Sequence, residues 1–274
     1  MSSATKLIPL LVLASATATC LGQPELRVCA DPNNLPYSNE QQQGFENHLA
    51  GMIAGDLRMQ VKYVWYPQRG KFFERTLDAG MCDVVMGVPV GLEEAAATHP
   101  YYVSSYAFVW RSDRNLQITS LDDPRLKTLR IGVHILGEED DSVPPVHALI
   151  RRGIVRNLVG YSIFGHLDEV NPSADLIRAV VNKDVDLAVV WGPLAGYFAQ
   201  KSSVPLKVTP ILSDPKEPTL PMTWQIGIGV RPQDQALRQK LDAEVERLQP
   251  EIRRLLNAYG IPQVSHLPAI HGGN

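Results

Sequence analysis

The sequence has no dense run of lysine and arginine, and its 26 Lys+Arg against 29 Asp+Glu leave a formal net charge of −3. That excludes nucleic acid as the expected partner, because phosphate binding needs a concentrated basic surface. Long-range attraction to an anionic membrane is disfavoured for the same reason. Beyond the first twenty residues no apolar run approaches the ~20 residues that span a bilayer. A G-x-S-x-G elbow, a Walker loop and an H-E-x-x-H pair are all missing. "GIGV" (227–230) has two glycines, but it lies inside a strand pattern and lacks the geometry of a dinucleotide loop. None of the seven histidines stands with a second histidine and a carboxylate at metal-ligand spacing. No catalysis and no cofactor of the chain's own are therefore expected. No heptad run appears, and the last helical pattern can pack on its own lobe, so a monomer is expected.

Cysteine is also scarce, with three in 274 residues. The first, Cys20, closes a segment in which Lys6 is the only charged side chain, followed by "LIPLLVLA" and "SATATC". Residues 1–20 read as a secretory signal, with Ala16-Thr17-Ala18 as an Ala-x-Ala cleavage site. A lipoprotein would need Cys20 preceded at the third position by a residue such as leucine. Thr17 stands there, so a periplasmic, non-lipidated chain is the expected form. In that oxidising compartment Cys29 in the first strand and Cys82, which opens a later one, can form a disulfide, with two buried thiols as the alternative. A loop of about fifty residues would make the bond worth ~4 kcal/mol in the chain-entropy picture.

What is present is an alternation of strand and helix patterns. "LRVCA", "VKYVWYP", "CDVVMGVP" and "YYVSSYAFVWR" read as strands, interleaved with helices at 45–59 and in "KFFERTLDAG". After a polar stretch the pattern restarts with "LRIGVHI", and "VVNKDVDLAVVWGP" echoes the earlier "LDAGMCDVVMGVP". The strand "TWQIGIGVRPQD" then leads to one or two helices over residues 235–260, with a break at Pro250. This predicts an α/β protein of two lobes, 24–111 plus 225–264 and 112–224, with a signal at 1–20 and a flexible tail at 265–274. Two chain crossings, near 111–115 and 221–226, make a hinge with a cleft beside it.

In open α/β sheets the loops at the carboxyl ends of the strands line a crevice. Here they supply Asp31, Asn33, Asn34, Tyr37, Trp65, Tyr66, Arg69, Pro89, Trp191 and Pro193, with His134 at the end of another strand. Aromatic walls with a few polar tips suit a binding pocket. The alternative is that the aromatics are core, the asparagines serve turns and His134 is a partly solvated residue without function. Asp83 and Asp186 each open an apolar strand, and local bonding to backbone amides explains both. The acidic "GEEDDSVPP" (137–145) reads as a solvated flap or as a docking point for a cationic partner.

Long motifs add a resemblance. "RVCADPNNLPYSNE", "GFEN", "WYPQRGKF", "CDVVMGVP", "PYYVSSYAFV", "LDDPRLKTLRIGV", "PPVHALIRRGIV" and "VDLAVVWGPLAGYF" resemble the quinoprotein-dehydrogenase-associated family of periplasmic solute-binding-like proteins, the MxaJ/XoxJ group of methanol dehydrogenase accessory proteins. The likeness runs from about residue 25 to 263. It implies the two-lobed periplasmic binding-protein fold of type II, the fold of amino-acid binders. It also implies an accessory role to a pyrroloquinoline-quinone (PQQ)-dependent methanol or alcohol dehydrogenase of calcium or lanthanide type, with that enzyme's cytochrome c as a further partner. Any metal would belong to the dehydrogenase. The alternative is a receptor for an uptake system of ABC type with a small ligand other than an amino acid. In amino-acid binders the strand matching "MGVPVGLEE" carries a glycine, a threonine and an arginine that holds the ligand's carboxylate. Here these fall at Gly87, Pro89 and Glu94, and the aspartate that receives the α-amino group falls at Gly192. Both charged anchors are gone, so ordinary amino-acid transport is not expected.

Overall fold

The computed structural model describes residues 23–135, 143–163 and 169–264; the signal expected at 1–20, the tail expected at 265–274 and most of the acidic 137–145 segment lie outside the described residues. In chain order the elements are β1 (Glu25–Ala30), β2 (Asn33–Asn34), β3 (Ser38–Asn39), α1 (Phe45–Asp56), β4 (Gln60–Trp65), α2 (Phe72–Arg75), β5 (Val84–Pro89), β6 (Ala96–Ala97) and β7 (Tyr102–Arg111). They continue as β8 (Ile131–Ile135), α3 (Pro144–Arg151), β9 (Leu158–Ser162), α4 (Asp175–Asn182), β10 (Leu187–Trp191), α5 (Gly192–Lys201), β11 (Leu206–Ile211), β12 (Thr223–Val230), α6 (Gln235–Arg247) and α7 (Gln249–Ala258). Strand order is β4-β1-β5-β12-β7-β10-β8-β9, with β11 also on β7 and β6 on β12.

The long alternating strand β7 joins the two halves. Its residues 102–105 pair with β12, whereas 106–111 pair with β10 and β11. The passage between the sheets therefore lies inside β7, and the chain returns at the start of β12. β4, β1 and β5 are parallel on one side, and β10, β8 and β9 are parallel on the other. This is a two-lobed architecture with its connecting strands side by side at a hinge. Each lobe has its own core. Phe45, Leu49, Ile53, Val84 and Ile228 pack with Ile252 and Leu256 of the final helix in one, while Phe108, Ile131, Leu149 and Leu187 anchor the other. The break at Pro250 falls at the start of α7, where a missing N–H costs no helical bond.

The echo between the two halves is physical. Asp83 Oδ2 accepts from the Arg27 backbone N–H at 3.1 Å, and Asp186 Oδ2 accepts from the Arg130 backbone N–H at 2.9 Å. Each aspartate thus ties the entry of its strand to a neighbouring strand, the local role expected of both.

Cys29 and Cys82 form a disulfide between β1 and the turn before β5, with Cα atoms 5.5 Å apart and both residues buried. The bond closes a loop with a sequence separation of 53. Replacing both cysteines by alanine is expected to cost about 2–4 kcal/mol, read as a lower midpoint in urea, with a steeper slope because the uncrosslinked unfolded chain exposes more surface. An unchanged midpoint would show that the bond contributes nothing to stability.

Candidate functional site

The loop from β1 to α1 is the most heavily tied segment at the cleft. Asp31 Oδ1 accepts from the Asn33 backbone N–H at 2.8 Å, and its Oδ2 accepts from the Gln68 backbone N–H at 2.6 Å. Asn34 Nδ2 donates to Gln68 Oε1 at 3.2 Å. Asp31 and Asn34 thus brace this loop against the 67–70 turn, and Arg69 lines a hollow of about 310 Å³ between them. Asn33 reaches the other half of the molecule. Its Nδ2 donates to the Glu169 carbonyl at 2.6 Å, and its Oδ1 accepts from the Asn171 backbone N–H at 3.1 Å. Ser173 Oγ donates to the Leu35 carbonyl at 3.3 Å beside them. These bonds clasp the two lobes across the cleft.

Asn33→Ala removes both side-chain bonds, each worth about 1 kcal/mol net. The expected result is a shift toward a more open form, seen as a larger radius of gyration in solution scattering. An unchanged radius would mean that the clasp does not hold the lobes together.

Behind the clasp lies a cavity of about 380 Å³, lined among others by Asn34, Tyr37, Pro89, His134 and Trp191 of the expected set, and by Glu46, Gly87, Tyr102, Tyr106, Leu194 and Trp224. Tyr37 and Trp191 each pack against the cores on both sides of the cleft. Pro193 is buried in the first turn of α5, next to lining residue Leu194. Three expected residues fall elsewhere. Trp65 stacks on Tyr63 with ring centroids 4.6 Å apart, and Tyr66 packs near Phe72 while its hydroxyl accepts from Arg75 at 3.0 Å. Neither lines the cavity. Glu94 is exposed in the turn after β5 and does not face it either.

The carboxyl group at the cavity belongs instead to Glu46. α1 starts on the β1–α1 loop, because Phe45 N–H donates to the Pro36 carbonyl and Glu46 N–H to the Tyr37 carbonyl. Asn47 Oδ1 reaches back to the Gly44 N–H at 3.0 Å and caps the first turn. So held, Glu46 turns inward on the same stripe as Leu49, Ala50 and Ile53. Its carboxyl occupies the place where a Cβ at position 87 would sit. Gly87 has φ +72°, so a glycine is required there on both counts. Tyr101 O–H donates to Glu46 Oε1 at 3.1 Å. Burial pushes the Glu46 carboxyl up to about 8, against the opposing effect of that bond.

His134 ends β8 with 3 % exposure, and burial pushes it down to about 4. The ring donates to the Ser173 backbone, while Nε2 has no partner among the described residues. It is a buried neutral imidazole with one free acceptor, not the partly solvated histidine offered as the alternative.

The two altered anchor positions are built in. A Cβ at Gly192 would lie 2.5 Å from Ser104 Oγ and 2.6 Å from the Ser105 carbonyl, both on β7. An aspartate there would have to displace the hinge strand. Pro89 offers no backbone donor, and among the described residues no lysine or arginine lines the cavity. Among the described residues no group of three or more His, Cys, Asp or Glu side chains could hold a metal ion, and no helix is long and apolar enough to cross a membrane.

A two-lobed binding-protein architecture is what this fold and cleft define. Residues 26–260 match the bacterial extracellular solute-binding proteins, family 3, and the chain belongs to that family. Within it the chain is homologous to a more particular group. It is 28% identical over 252 residues to MoxJ of Methylorubrum extorquens, covering 86% of this chain and 81% of that one. To MoxJ of Paracoccus denitrificans it is 26% identical over 270 residues, covering 91% and 95%. The crystal structure of the periplasmic binding protein XoxJ from Methylobacterium extorquens AM1 superposes with a TM-score of 0.73 at 31% identity, covering 88% of this chain and all of that one.

Proposed function

We propose that the chain is a periplasmic accessory protein of a PQQ-dependent methanol dehydrogenase, of calcium or lanthanide type, and acts as a monomer. It binds the enzyme, or a segment of it, at the interlobe cleft and assists maturation or activation; the enzyme's cytochrome c is a further candidate partner. The observation that carries this reading is a binding-protein cleft rebuilt against amino acids. The carboxylate anchor is replaced by a turn without basic residues, and position 192 has no room for the aspartate. Similarity to MoxJ and XoxJ supports it.

A reconstitution assay tests it. Apo-dehydrogenase is mixed with PQQ and calcium or a lanthanide, with and without the chain, and the appearance of alcohol-oxidising activity is followed. Faster or fuller activation with the chain is expected; identical time courses would contradict the reading. An uptake receptor is the second reading, favoured by a cavity whose volume of about 380 Å³ lies in the range of small-molecule sites.

A further inference from the structure

The cavity is lined by the buried carboxyl group of Glu46, whose hydrogen-bond partner among the described residues is the uncharged Tyr101 hydroxyl. Its walls carry Tyr102, Tyr106, Trp191 and Trp224, and no lysine or arginine among the described residues. An anion would meet a carboxyl group and no counter-charge. A neutral alcohol has one donor and would bring no charge to meet the carboxylate. An ammonium group carries three donors and no acceptor, and it is attracted to the faces of tyrosine and tryptophan rings.

We propose that this cavity is a site for a primary alkylammonium group on a slim apolar stem, with Glu46 as counter-charge and the tyrosine and tryptophan rings as walls. The group can arrive as a free amine or as a lysine side chain on a partner segment. In the second case the inference rests on the accessory reading; in the first it does not.

Binding must displace the proton that Glu46 holds near neutrality, since its carboxyl is pushed up to about 8. Affinity should therefore rise with pH up to that value and then level off, by about tenfold per pH unit below it. Tyr37, Tyr101 and Tyr102 face Glu46 and are pushed further up, and His134, with Asp175 nearby, is pushed down to about 4. Glu46 is thus the group that titrates between. The amine itself titrates near ~10.4, as lysine does.

The test is calorimetric titration of the mature chain with n-butylammonium chloride, 1-butanol and sodium butyrate at pH 6.5 and 8.0. A blocked tripeptide with a central lysine, and its acetyl-lysine counterpart, form a second arm. Expected are binding of butylammonium at least tenfold tighter than of butanol or butyrate, strengthening about tenfold from pH 6.5 to 8.0 with release of a proton. Glu46→Gln, the neutral isostere of the protonated acid, should fold, bind butylammonium at least tenfold more weakly at pH 8.0, and lose the pH dependence. A lysine peptide binding tighter than butylammonium, with its acetylated form silent, assigns the site to a protein segment; the reverse order assigns it to a free amine. Equal binding of butanol and butylammonium, unchanged binding in Glu46→Gln, or no heat from any ammonium probe overturns the proposal. None of these results bears on dehydrogenase activation, which is measured separately.

Discussion

Glu46→Gln is expected to stabilise the protein above neutral pH. The folded state holds the Glu46 proton up to about pH 8 because burial disfavours the carboxylate, while the unfolded chain releases it near its ordinary value of 4.5. Between those values the folded form binds more protons than the unfolded form, so stability falls as pH rises through that window. The contribution is fully present below about pH 4.5, is lost by about pH 8, and amounts to something on the order of 4 kcal/mol. Glutamine cannot ionise, and its amide can still accept the Tyr101 hydroxyl proton. The variant should therefore match the wild type near pH 5 and exceed it near pH 8.5 in urea unfolding. Equal stability of the two proteins at both pH values would show that Glu46 is not held protonated.

The second large effect lies far from the cleft. Arg152 donates to both oxygens of Asp214, at 2.8 and 2.6 Å, and to Asp122 at 2.9 Å; its side chain is 7% exposed and that of Asp214 not at all. Removing one partner of a buried pair strands the other charge, so Arg152→Ala should cost about 3–5 kcal/mol. For a chain of this size that lowers the thermal midpoint by about 6–20 °C. The double variant Arg152→Met with Asp214→Leu should recover much of the loss, because it leaves no uncompensated charge. A single variant as stable as the wild type would mean that water screens the pair.

Much of this fold was legible in the sequence because the signals are local. Strand and helix periodicities, the paired "CDVV" and "VDLAVV" entries and the break at Pro250 all depend on neighbours in the chain. The cysteine pair was legible once the first residues implied an oxidising compartment. Strand β11 was not, since Pro210 interrupts its pattern and is accommodated only because the strand pairs on one side, with β7. In the cleft, Tyr37, His134 and Trp191 could be placed from their positions at strand ends and loops. Glu46 could not be placed that way, because it lies within a helix; the available signal was its position on the stripe of Leu49, Ala50 and Ile53. Glu94 stands at the arginine's position in the sequence register, yet the carboxyl group that lines the cavity is that of Glu46. Trp65 and Tyr66 end their strand near the crevice, yet nearby rings engage both. The Asn33 clasp joins residues 136 and 138 positions apart, a pairing no local pattern specifies.

The central claim is that a solute-binding fold here serves a dehydrogenase and not amino-acid uptake. Calorimetric titration of the mature chain with the apo and holo forms of methanol dehydrogenase, with amino acids as controls, tests it most directly. The expected result is binding to the dehydrogenase, stronger for the apo form if the role is maturation, and no heat from the amino acids. Micromolar binding of an amino acid or another small solute, with no binding to either dehydrogenase form, would contradict it.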